Sequence, residues 1–91
     1  MKKKRKRLNR KCIRSDILEA VDELKTIAEK LQKDPRFEEI GFQTQLNHAY
    51  HHLNYAWNSR FSTKKEYVDL TDARFNKWSK YPAKDFKDYK V

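Results

Sequence analysis

The sequence predicts an all-α protein: an antiparallel hairpin of two amphipathic helices, short C-terminal helices packed across it, and a flexible basic N-terminal arm. Three observations carry this. Apolar residues recur at helical spacing over two long stretches, capping residues and prolines punctuate the rest, and the excess positive charge gathers at one end. No stretch alternates apolar and polar residues as a half-buried strand does.

The first helix has the clearest signal. Apolar side chains at 13, 17, 20, 21, 24, 27, 28 and 31 fall in one stripe about 120° wide when successive residues turn by about 100°. Ser15 or Asp16 can cap its start, and Lys30 and Lys33 suit its negative pole. Pro35 disfavours helical backbone at Asp34, so the helix should stop at Lys33. Within the stripe, residues 17, 21, 24, 28 and 31 alternate steps of four and three, which is coiled-coil spacing over fewer than three heptads. "DPRFEEIG" predicts a short helical turn of its own, with Asp34 as cap, Pro35 in the first position and Gly41 ending it in the left-handed conformation.

The second helix is expected over about Thr44 to Arg60, with Leu46, Ala49, Tyr50, Leu53, Ala56 and Trp57 as its apolar stripe. On that wheel His48, His51 and His52 all turn away from the inferred core. Asn47, His51, Asn54 and Asn58 form a second, polar stripe. Asparagine is a poor residue for a helix interior, so this stripe implies a hydrogen-bonded counterpart, either the backbone of the C-terminal segment or a partner. The first reading is preferred, because buried loop backbone needs such partners. Beyond Arg60, Thr63 and Glu66 stand at capping-box spacing, Thr71 offers another cap and Pro82 a stop, which predicts two short helices. All twelve aromatic residues lie between Phe37 and Tyr89, and the C-terminal third should wrap across the hairpin to complete its core.

Composition bounds the size of that core. With 37% of residues hydrophobic and 38% charged in 91 residues, one small domain is expected over 13–91 behind a disordered arm over 1–12, and self-association is a candidate source of further burial. The net charge of +9 is not spread evenly. Residues 1–14 hold nine Lys or Arg and no acid, and the remainder balances 13 bases against 13 acids. No secretory apolar run follows the arm and no membrane-spanning stretch is present, so a cytoplasmic location is expected, or a nuclear one in a eukaryote. A lone Cys12 excludes an intrachain disulfide and a zinc ribbon.

Chemical motifs are sparse. His48 and His52 have the spacing of helical zinc sites, but Ala49 stands where the metalloprotease helix carries its Glu, and no third ligand is nominated. No metal or cofactor is therefore expected. No nucleophile sits beside a base and no glycine-rich phosphate loop occurs, so a non-catalytic binding protein is predicted, with no small-molecule substrate. Lys2, Lys3, Lys4, Arg5, Lys6, Arg7, Arg10, Lys11 and Arg14 would contact nucleic-acid phosphates with little sequence specificity. The alternative is a protein-interaction module or small adaptor that meets a protein partner, or a second copy of itself, through Asn47, His48, His51, Asn54 and Asn58.

Overall fold

In the computed structural model, residues 7–86 are described. Helix α1 (Arg10–Lys33) and helix α2 (Glu39–Asn58) pack antiparallel as the hairpin, followed by α3 (Lys64–Val68), α4 (Asp72–Trp78) and α5 (Ala83–Phe86). There is no strand among the described residues.

The cap of α1 is neither Ser15 nor Asp16. It is Asn9, whose side-chain oxygen accepts from the Cys12 amide at 3.3 Å, so the helix starts at Arg10, before either expected cap. Asn9 also ties the two ends of the hairpin together. Its backbone amide donates to the Arg60 carbonyl at 2.7 Å and its side-chain amide to the Ser62 carbonyl at 3.0 Å. At the other end α1 stops at Lys33 as predicted, but 34–37 form a turn and not a helix. The Asp34 carboxylate accepts from Arg36 N at 3.0 Å, and its carbonyl from Phe37 N.

Helix α2 begins five residues earlier than expected and contains Gly41, which has no positive φ. The glycine has a different use. A Cβ here would lie 3.2 Å from the Phe37 ring, so its absence makes room for Phe37 to close the turn against α2. The capping box of α3 is present in both bonds, Glu66 N to Thr63 Oγ1 at 3.1 Å and Thr63 N to Glu66 Oε1 at 2.9 Å. Thr71 caps α4 in the expected way. Pro82 starts a third short helix instead of ending the series, because its carbonyl accepts from the Asp85 and Phe86 amides.

The docking of α1 on α2 is turned from the predicted one by roughly 60°. The buried positions of α1 are Asp16, Ala20 and Ile27, and those facing them on α2 are Ala49 and Ala56. Small side chains let the two backbones approach closely, and larger apolar groups are displaced to the flank. Ile17, Val21, Leu24 and Leu31 of α1 consequently remain exposed, as do Phe42, Tyr50 and Leu53 of α2. The hairpin thus has one open apolar face. At the end near the chain start, Ile13, Ile17, Leu53, Trp57, Tyr81 and Phe86 line a groove in it of about 500 Å³.

Candidate functional site

The basic segment continues into the helix. Arg7 lies just before α1, and Arg10, Lys11 and Arg14 lie on its first turns, all exposed. None of the four forms an ion pair among the described residues, and the first turn of α1 contains no acid. The positive pole of the helix dipole adds to their field, so this end of the hairpin is a concentration of uncompensated positive charge. Lys2, Lys3, Lys4, Arg5 and Lys6 lie outside the described residues.

Of the three histidines only His48 stays on an outer face. His52 keeps only 18% of its side chain exposed, with Nδ1 3.3 Å from Asp16 Oδ1 and Nε2 3.0 Å from Glu19 Oε2. His48, one turn earlier, lies with its ring tilted 4.9 Å from the His52 ring and meets Glu23 at 3.1 Å. His51 turns toward α4, edge-on to Phe75 at 5.2 Å. The rotated docking of α1 is the cause, since it brings the 48/52 side of α2 over the acidic 16/19/23 side of α1 and sets imidazole nitrogens against carboxylates.

Asp16 is the centre of this cluster and is 4% exposed. It accepts from the Tyr67 hydroxyl at 3.0 Å, which ties α3 to the hairpin. Burial pushes its carboxyl above the usual range, against the opposing pull of the Tyr67 and His52 hydrogen bonds. Burial and the Asp16 charge raise the Tyr67 phenol strongly, and the same two causes raise Tyr55. Both phenols therefore hold their protons at neutral pH; Tyr67 donates to Asp16, while the buried Tyr55 hydroxyl has no hydrogen-bond partner among the described residues. The carboxylates lie against opposite nitrogens of His52 and do not converge on a common point. No group of three or more His, Cys, Asp or Glu among the described residues is arranged to hold a metal ion.

The asparagine stripe is engaged by the chain itself. Asn54 donates from Nδ2 to the Ser79 carbonyl at 3.0 Å. Asn58 Nδ2 lies 2.9 Å from the Trp78 carbonyl and 2.7 Å from that of Lys80, where it caps the carboxyl end of α4. Of the five residues of the predicted interaction surface, Asn47 and His48 remain exposed, while His51, Asn54 and Asn58 hold α4 in place.

Against this geometry the comparisons with known proteins add no assignment: no family model, curated protein or solved structure matches the chain. No helix among the described residues is long and apolar enough to cross a membrane.

Sequence reasoning missed Asp16, Glu19 and Tyr67 as members of a cluster. Asp16 reads in the sequence as one of two candidate caps, and its partners His52 and Tyr67 stand 36 and 51 residues away. The available signal was its position one turn before Ala20, on what proves to be the buried side.

Proposed function

We propose that the protein is a non-catalytic nucleic-acid-binding protein whose N-terminal basic segment contacts phosphates with little sequence discrimination. One observation carries the reading. Arg10, Lys11 and Arg14 crowd the positive pole of a 24-residue helix with no acid in its first turn. Cations there cost roughly 0.3–1 kcal/mol each, so helix stability does not account for them, and a bound anion relieves the repulsion. With Arg7 and the five bases before it they make nine positive charges on a chain whose remainder is formally neutral. Release of counterions from phosphates then supplies the binding free energy, and loss of affinity in salt is its signature.

The test titrates duplex DNA, single-stranded DNA and RNA against the full chain, a form lacking residues 1–6, and a form with Arg7, Arg10, Lys11 and Arg14 changed to Gln. On duplex DNA, each lost phosphate contact should flatten the slope of log K against log salt by about 0.9. Equal binding by all three proteins, or none by the full chain at low salt, refutes the proposal. The alternative of partner capture through the His and Asn face has less support, because Asn54 and Asn58 spend their amide donors on α4.

A further inference from the structure

We infer that the open apolar face of the hairpin is the contact surface for a second copy of this chain, paired antiparallel about a two-fold axis near Leu24. The inference is independent of the basic segment. Two stripes with coiled-coil spacing run side by side on α1. Asp16, Ala20, Glu23 and Ile27 face α2, whereas Ile17, Val21, Leu24, Ala28 and Leu31 form the more apolar stripe and are all exposed. On α2, Leu46, Tyr50, Leu53 and Trp57 continue the same face.

The area is sufficient. Seven large residues of this face, Phe42 among them, are each 37–60% exposed. At about 150–250 Å² per large side chain, these fractions amount to about 600 Å² per chain. Two copies together would cover about 1,200 Å² from these side chains alone, which reaches the range of stable interfaces.

The charges favour a second copy over a different protein. The outer flank of the α1 stripe carries Lys11, Arg14, Asp22, Lys25 and Glu29, and the helix as a whole has six bases against five acids, an excess too small to select an oppositely charged partner at this face. Antiparallel pairing about Leu24 sets Ile17 against Leu31 of the second copy. This match occurs twice, as an isologous contact requires. It also sends the two basic segments to opposite ends of the dimer, where they do not repel each other.

Sedimentation equilibrium of the full chain should report twice the 11.1 kDa chain mass. Leu24→Glu should raise the dissociation constant at least about tenfold while far-UV circular dichroism keeps its helical signal, since Leu24 is 43% exposed in the single chain. As a second variant, Leu24→Cys in a Cys12→Ser background should join chain to chain through a short bis-maleimide. A monomer at every concentration up to about 0.1 mM overturns the inference. So does a dimer that survives Leu24→Glu, or one whose Leu24→Cys chains fail to join.

Discussion

Asn58 commits one side-chain amide to the carbonyls at the end of α4, a place where backbone oxygens otherwise lack partners. Asn58→Asp keeps the shape and removes the donor, leaving a carboxylate against carbonyl oxygens. A loss of about 1–3 kcal/mol is expected, measured by urea unfolding with Trp78 fluorescence as the local reporter; an unchanged midpoint would sink the bracing role. Asp16 makes the second residue-scale prediction, and its sign is opposite to that of a paired surface carboxylate. Burial raises its folded-state value above the ordinary 3.8, so between the two values the folded chain binds more protons than the unfolded one. Stability from this group therefore falls as pH rises through that window. Asp16→Asn removes the titration, and the variant should gain on the wild type as pH is raised from about 3.8. Urea midpoints of the two proteins across pH 3.5 to 6, a range set by ordinary carboxylate titration, check this; a wild type that gains on the variant with rising pH contradicts it.

At the scale of elements, the hydrophobic period located both long helices and the composition of "DPRF" located the break between them. The period failed in one respect, which is which face of each helix meets the other. It weighs residues by apolarity, whereas the contact was decided by size, with Ala20, Ala49 and Ala56 admitting a closer approach than Leu24 or Tyr50 would. A stripe about 60° away from the true seam still contains Ala20 and Ile27, so the wheel offers no warning. The candidate site shared this error. Once α1 is placed on the wrong side, the three histidines look solvated and the Asp16–His52 pair, 36 residues apart, has nothing local to announce it. Basic residues and the short-helix caps were legible because they depend on neighbours in the chain alone. Asn9 illustrates the mixed case: it caps α1 locally, yet two of its hydrogen bonds reach Arg60 and Ser62. Asn9→Ala should accordingly cost more than an ordinary cap, about 1–2 kcal/mol. Amide exchange should quicken at Cys12 while the middle of α1 stays protected. Protection lost uniformly along α1 would show that Asn9 does more than hold this end.

For the whole molecule, charge and fold are separable. Removing residues 1–6 takes the net charge from +9 to +4. The thermal midpoint should move by no more than surface changes do, within about 0.5 kcal/mol, while nucleic-acid affinity falls; a large loss of stability would tie those residues to the fold. If copies pair through the open face, the midpoint should also rise with protein concentration, since association and folding are then linked. The bonds of Asn9 to Arg60 and Ser62 add a mechanical consequence. A ligand that drags on the basic segment pulls first on a clasp between the start of α1 and the end of α2. The clasp is bound at two successive points, so tension along the chain is shared with the second helix before the first turn of α1 can unwind. The hairpin thereby gives its charged segment a fixed anchorage.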